Sequence, residues 1–438
     1  SVLTSLGVFT IGTNFTGSSV GQSGFIPPDT MGAVGPGHIV ELINGRYAVY
    51  QKDGTYVSGQ SLNSFWTDAG VTYAGAYTFD PRVVYDPSSE RYFAVSVDNH
   101  RGPNNYLLAV SKSADPTDGW TGFAIDSDSD DKEWADFPML GLNGDRVTIA
   151  ASKFAVLGTG GTNLTGFVVV PKADLLSATP TVANATHIED ARPFYTGTAP
   201  QPVVDLDGHS GTQAVLAGYV FSTGGLKASS IEGPPQAATL HDSDGYIPVV
   251  NAPDPPDIDQ PGAKVDIDSG DSRISGNVIQ QQIPGRTNPS LWAVQGVDID
   301  GRASIAWYEI DAITDALLQS GTFTDPTMAY NFPSIAVNDA GEIVIGFSGG
   351  DPTTFIGSYA VVAANIVLDT LVGLAGFIGR AVGESGQVIL SGLVCGQAER
   401  LAERCRQERL MPVERRRQGE WEVLRLVKQK SVDGAAQG

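Results

Sequence analysis

Asn331–Gly350 reads NFPSIAVNDAGEIVIGFSGG, a turn, a strand-forming run, a second turn and a second run. Asp80–Asp98, DPRVVYDPSSERYFAVSVD, repeats that order, and so does Asp136–Phe154, DFPMLGLNGDRVTIAASKF. Asp29–Tyr50, DTMGAVGPGHIVELINGRYAVY, is a looser copy whose Asn44-Gly45-Arg46 sits where a hairpin turn belongs. Asp80 also leads into two further strands on either side of a Pro/Asp/Gly turn, YLLAVSKSADPTDGWTGFAI. Four strands per unit, repeated at tens of residues, describe an all-β propeller of four-stranded blades. Six anchors carry the pattern, at Asp29, Asp80, Asp136, near Gln201, at Asp271 and at Asn331. Their uneven spacing implies connecting loops of different length, where propellers place function.

Working outward, Ser1–Ser23 is rich in Gly, Ser and Thr and reads as a linker or a closing strand, with one strand-like run at Gly7–Ile11. The chain begins with Ser, which reads as a removed leader or a fragment. Residues 24–360 form the propeller, and Gly225–Lys264, rich in Pro and Asp, reads as a long surface loop inside it. Residues 361–438 break the pattern: an apolar stretch, Val361–Gly383, precedes an Arg/Glu-rich segment, Gln397–Lys430, with helical spacing. In that helix Leu401, Cys405 and Glu408 share a face, near Val394, Ala398 and Ala402, and Pro412 breaks it.

Charge and cysteine follow the same boundary. The chain of 438 residues has a net charge of −22. Ser358–Gly438 holds 11 basic and 9 acidic side chains, so the body before it is net −24. A body this acidic repels nucleic acid and anionic lipid, and suits a secreted protein and divalent cations. Both cysteines, Cys395 and Cys405, lie in the tail, so the body uses no disulfides. Val361–Gly379 is nearly long enough to span a membrane, but Asp369 in its middle argues against an anchor.

The inner strand of each blade lines the central channel, and the residue before it sits at the mouth. On that register Asp29, Asp80, Asp136, Asp271 and Asn331 converge, with Arg82 and Arg273 beside them. Crowded carboxylates resist ionisation unless a cation or a ligand lies between them. The competing expectation is that each Asp only caps its own turn. Asp136 and Asp29 are the candidate catalytic carboxylates, and Trp134 is either core or a sugar-stacking platform. For Ca²⁺ the candidates are Asp126, Asp128 and Asp130 in DSDSDD, then Asp266, Asp268 and Asp271. DSDSDD lacks the Gly and the terminal Glu of an EF-hand loop, and both sets read equally as solvated acidic loops. Asp205/Asp207 and Asp298/Asp300 read as turn residues. GSSVG at Gly17–Gly21 lacks the strand-turn-helix context of a nucleophile elbow, and the five histidines show no zinc spacing.

Together PPDTMGAVGPGHIVELIN, FDPRVVYDPSSERYFAVS, AVSKSADPTDGW, WADFPMLGL, SGDSRI, AWYEID and YNFPSIAVNDAGEIVIGFSGG resemble a group of secreted bacterial β-propeller proteins of mostly unassigned role. The group is loosely similar to sialidase-type propellers, and its members often carry surface-sorting or adhesion modules. The resemblance covers about residues 24–360. It implies an extracellular scaffold that binds a glycan or a protein, or else a sialidase-like glycan hydrolase. It also implies a seventh blade, opened by an Arg-Trp-Gly-Asp-Tyr-like segment near residues 385–400, where this chain has its Arg-rich tail instead. The abrupt change reads as a frameshift or misjoined segment, ahead of a genuine helical tail. The SADPTDGW turn at Ser113–Trp120 is faintly similar to the aspartate-box hairpin of sialidases, a structural element.

Overall fold

The computed structural model describes residues 13–190, 198–218, 225–249, 253–262, 264–364, 387–394, 398–418 and 421–429. The Gly7–Ile11 run, most of the Val361–Gly383 stretch and Cys395 lie outside the described residues. The fold is a β-propeller. Blade 1 comprises Met31–Val34, His38–Ile43, Arg46–Gln51 and Tyr56–Ser61, paired in order as an antiparallel meander. Its central hairpin turns at Asn44-Gly45, where Gly45 takes φ 80° and a side chain would collide with Phe25 and the Ser23 carbonyl. Blade 2 comprises Thr78–Asp86, Arg91–Asp98, Asn105–Ser111 and Trp120–Asp126, and blade 3 comprises Glu133–Leu142, Arg146–Ala155, Leu164–Pro171 and Thr186–Asp190.

Blade 4 comprises Thr198–Pro202, Gln213–Gly218, Gly225–Glu232 and Thr239–Pro248. Its outer two strands occupy much of Gly225–Lys264, which corrects the expectation of a long loop there. Pro234 and Pro235 separate these strands, Asp242 and Asp244 lie within the second, and Leu226, Ala228 and Ile231 of the first are buried in the cores between sheets. Blade 5 comprises Ile279–Gln281, Ser290–Ile299, Arg302–Asp311 and Leu317–Phe323. Blade 6 is described as three strands, Ala329–Val337, Glu342–Asp351 and Thr354–Ala364.

The blades hold together through apolar side chains between sheets. Trp66, Trp292, Tyr92, Phe93, Tyr106 and Phe167 are almost wholly buried, and each such side chain contributes roughly 1.5–3 kcal/mol of burial. Blades 3, 4 and 5 are also joined by backbone. Val204–Asp205 continues the inner strand of blade 4 and pairs parallel with Leu142 of blade 3 on one side and Ile279–Gln280 of blade 5 on the other. Three inner strands therefore hydrogen-bond to one another along the channel.

One irregularity recurs on the inner strands. Asp80, Phe137, Ala199 and Phe332 all have positive φ, between 49° and 53°, and each precedes a proline. The pairing register slips there in all four blades. A proline has no N–H for the ladder, so it fits at a bulge. Aligned on this bulge, Asp80 matches Phe137 and Phe332, whereas Asp136 and Asn331 match Phe79 and Thr198. The five anchors Asp29, Asp80, Asp136, Asp271 and Asn331 are thus not one repeated position, which corrects the ring register. Asp29, at φ 41°, shares the left-handed backbone of Asp80.

The tail is not a continuous helix. Gln387–Val394 is a strand, Ala398–Arg406 is a helix, and Leu410–Gln418 with Trp421–Lys428 form a hairpin. Ala398, Leu401, Ala402 and Cys405 form the buried face of the helix, the face read from spacing. Pro412 lies within a strand, at a register slip, rather than breaking a helix. The strand order is first, third, second, with the third antiparallel to both others. A blade meander has sequential order, so this sheet is a helix-crossover unit and not a seventh blade.

The inner strands of blades 3 and 4 approach closely at Gly141, where a Cβ would meet the carbonyl, carbonyl carbon and Cβ of Pro202. Gly141→Ala should cost roughly 1–3 kcal/mol by overpacking, read as a lowered denaturant midpoint. Gly37→Ala, where a Cβ meets nothing within 4 Å, should stay within about 0.5 kcal/mol of the parent.

Candidate functional site

Three carboxyl groups from three blades meet at the channel mouth. Asp29 precedes blade 1, Asp80 opens the bulge of blade 2, and Asp136 precedes the bulge of blade 3. Asp80 is hydrogen-bonded through its side chain to both Asp29 and Asp136, so the three form one chain. Asn44, buried in the blade 1 hairpin, spans the first seam. Its amide donates to Asp29 Oδ2 at 2.6 Å and to the Pro27 carbonyl at 3.2 Å, and its Oδ1 accepts from the Asp80 backbone N–H at 2.8 Å. The Phe137 N–H donates to Asp80 Oδ2 at 3.2 Å and spans the second seam.

Arg82 crosses the channel beneath this chain. It is 4% exposed. Its Nε donates to the Pro138 carbonyl of blade 3 at 3.1 Å, and one Nη donates to the Ser275 carbonyl ahead of blade 5 at 2.6 Å. Arg273 stands nearer solvent and is held by Asp271, with Nε 2.7 Å from Oδ1 and Nη2 2.5 Å from Oδ2. Both guanidinium groups lie over the Phe137 ring, Arg82 at 4.9 Å and Arg273 at 4.8 Å from its centre.

Burial sets the protonation of this group. It pushes Asp29 up to about 7, with Asp80 adding like-charge repulsion, while Arg82 and Asn44 pull the other way. Asp80 is raised by burial and then by Asp136. Asp136 is raised by burial, against its hydrogen bonds to Asp80 and the Phe137 N–H and the charge of Arg273. Burial also brings Arg82 down to about 10. Asp271 goes the other way: burial opposes its ionisation, but Arg273 outweighs that and holds it below the usual carboxylate range. Asp29 can therefore hold a proton near neutral pH, donating and accepting hydrogen bonds at once.

The other predicted residues fall elsewhere. Asp271 joins the site only through Arg273. Asn331 is fully buried in the blade 6 inner strand, and its amide atoms have no protein partner. Trp134 is 6% exposed and packs against His100 and Phe154 in the main core, so its ring face is closed to a sugar. Residues 113–120 form the expected structural turn, where Asp115 caps Thr117 and Trp120 stacks edge-on to Phe65. Asn44 and Phe137 were missed. Asn44 reads as an ordinary turn residue before Gly45, and Phe137 as one more apolar residue before a proline.

Among the described residues two groups bring three donor atoms close enough to hold a metal ion: Asp128, Asp130 and Glu133, and Asp205, Asp207 and His209. In the first, the buried Lys153 ammonium already lies 2.7 Å from Asp128 Oδ1. Asp128 Oδ2 accepts from the N–H groups of Lys132 and Glu133. Burial raises Asp128, yet these partners hold it down at about 2. In the second, Asp205 accepts from the N–H groups of Asp207 and His209, the turn role read from sequence. Asp126 is exposed and accepts from the Asp128 N–H. Asp266 and Asp268 are exposed, and Asp271 is taken by Arg273, so these three do not gather as one ligand set among the described residues.

A family model for ribosomal protein L11 methyltransferase (PrmA) matches residues 334–429, a C-terminal stretch well short of half the chain. No curated protein matches. Among solved structures, the polysaccharide lyase Uly1 is similar at 6% identity and TM-score 0.39, over 66% of this chain and 58% of that one. The Dos1 propeller is similar at 11% identity and TM-score 0.37, over 74% and 69%. A Trypanosoma rangeli sialidase in complex with 2,3-difluorosialic acid is similar at 8% identity and TM-score 0.31, over 76% and 60%. This chain spans less than two thirds of the length of the lyase and of the sialidase. The propeller architecture itself is read from the sheets described above.

Asp29 yields a signed test. Its folded value, about 7, lies above its ordinary 3.8, so the fold loses stability as pH rises through that interval. Asp29→Asn keeps an acceptor for Asn44 and suits the left-handed backbone. The variant should melt higher than the parent at pH 8, by roughly 2 °C or more, and the advantage should shrink steadily toward pH 4.

Proposed function

We propose that this chain is an extracellular propeller scaffold whose channel mouth binds a glycan or a protein ligand. The chain of carboxyls Asp29–Asp80–Asp136 carries this reading. Its members are half-buried, drawn from three blades, and backed by Arg82 and Phe137. A carboxyl that keeps its proton near neutral pH offers both a donor and an acceptor. A sugar hydroxyl needs both. The extracellular placement rests on the acidic body and on the resemblance of residues 24–360 to secreted propellers. Among the described residues no helix is long and apolar enough to cross a membrane.

A second reading, glycan hydrolysis, is favoured by one observation. Asp29, pushed up to about 7, has the value a general acid needs near neutral pH. Glycoside hydrolysis uses two carboxyls at least about 5 Å apart across the bond. Neighbours in the chain are hydrogen-bonded to each other, so the outer pair, Asp29 and Asp136, would serve. The two readings separate on Asp136→Asn. A binder loses ligand affinity and shows no turnover before or after the change. A hydrolase releases reducing sugar from a glycan panel, and the change abolishes it.

Ca²⁺ belongs to the same proposal. Asp128, Asp130 and Glu133 supply the hard oxygen donors that Ca²⁺ takes, with Lys153 as its competitor. Millimolar Ca²⁺ should raise the melting temperature over that of a chelated sample. Equal melts would assign the loop to Lys153 alone.

A further inference from the structure

We propose that the channel mouth selects neutral sugars over acidic ones, and that Asp271 sets this choice by filling the Arg273 guanidinium fork with the protein's own carboxylate. The proposal rests on the glycan reading of the site.

Recognition of a sugar carboxylate calls for a free guanidinium that can present two parallel N–H groups. Arg82 and Arg273 are the cations that act on the three carboxyls, and neither can offer its Nε edge to a ligand. Arg82 is buried and commits its donors to the carbonyls of Pro138 and Ser275. Arg273 is reachable, with its side chain 34% exposed, but Asp271 already occupies its fork. Arg273 Nε contacts both carboxylate oxygens, at 2.7 and 2.9 Å, and Nη2 reaches Oδ2 at 2.5 Å. The two residues are also tied by a turn, in which the Arg273 N–H donates to Asp271 Oδ1 at 3.0 Å. Asp271 thus sits on Arg273 as a ligand carboxylate would, at no cost in association entropy.

Charge points the same way. An acidic sugar would bring a fourth carboxylate beside Asp29, Asp80 and Asp136, whose ionisation is already resisted by burial and by one another. The strongly acidic body adds long-range repulsion of anions. A neutral polyol meets neither obstacle, and it uses the retained protons as donors. Phe137, under both guanidiniums, holds Arg273 over the mouth, so releasing Arg273 from Asp271 would leave it pointed at the site.

The test uses matched oligosaccharides that differ only in oxidation of the C6 hydroxymethyl to a carboxylate, with affinity measured for the full chain. The parent should bind the neutral member at least about tenfold more tightly, a difference of about 1.4 kcal/mol. Asp271→Asn should gain affinity for the oxidised member and narrow or reverse that ratio. Adding Arg273→Met should remove the gain, which a general loss of negative charge would not do. Parent preference for the oxidised member would overturn the proposal while leaving the glycan reading standing. So would an unchanged ratio in Asp271→Asn with a melting temperature like the parent's. Failure of the parent and both variants to bind any member would overturn the glycan reading and this proposal with it.

Discussion

A single buried cation, Arg82, organises the inner end of this propeller. A guanidinium removed from water needs every N–H satisfied and countercharge nearby. The fold meets part of the first with the Pro138 carbonyl of blade 3 on Nε and the Ser275 carbonyl, ahead of blade 5, on one Nη. It supplies the second with Asp29 and Asp80, whose fields act on Arg82 without a direct ion pair. The three Asp residues would carry more negative charge than one arginine can balance. Burial, with like-charge repulsion added, pushes all three carboxyls up, and Asp29 reaches about 7.

That arrangement depends on backbone conformations that ordinary strands do not adopt. Asp29, Asp80 and Phe137 all have positive φ. For a non-glycine residue this costs on the order of 1–3 kcal/mol. In return, the bulge turns Asp80 toward its neighbours and aims the Phe137 N–H at Asp80 Oδ2. Asn44 completes the link because the blade 1 hairpin carries it to the first seam. Inter-blade contact at the mouth is thus polar, whereas between the sheets it is aromatic and aliphatic.

The C-terminal unit follows a different logic. Its strands run first, third, second, joined by a helix whose apolar face packs on them. Its strand order and its balanced charge set it apart from the meander of the blades. The period-3.6 pattern of Ala398, Leu401, Ala402 and Cys405 marked the helix from sequence. The following hairpin stayed hidden because its charged run, Glu414–Arg417, read equally well as the polar face of a helix.

What the sequence determined by itself was the repeat, and with it the fold. Recurring strand–turn–strand units, with turn residues between apolar runs, can bury their faces only by stacking sheet on sheet. It also singled out Asp29, Asp80, Asp136, Arg82 and Arg273 as residues ahead of or within the inner strands. The tertiary structure decided which of these residues meet. Asp136 and Asn331 stand one residue further ahead of their proline than Asp80 does, an offset present in the spacing to Pro81, Pro138 and Pro333, but that these prolines mark a bulge appears only in the paired strands. The structure also decided that Lys153, rather than a read ligand set, faces Asp128, and that Trp134 is core. Both follow from packing within blade 3 and the loop that leads into it, and burial, unlike period, belongs to the assembled sheets.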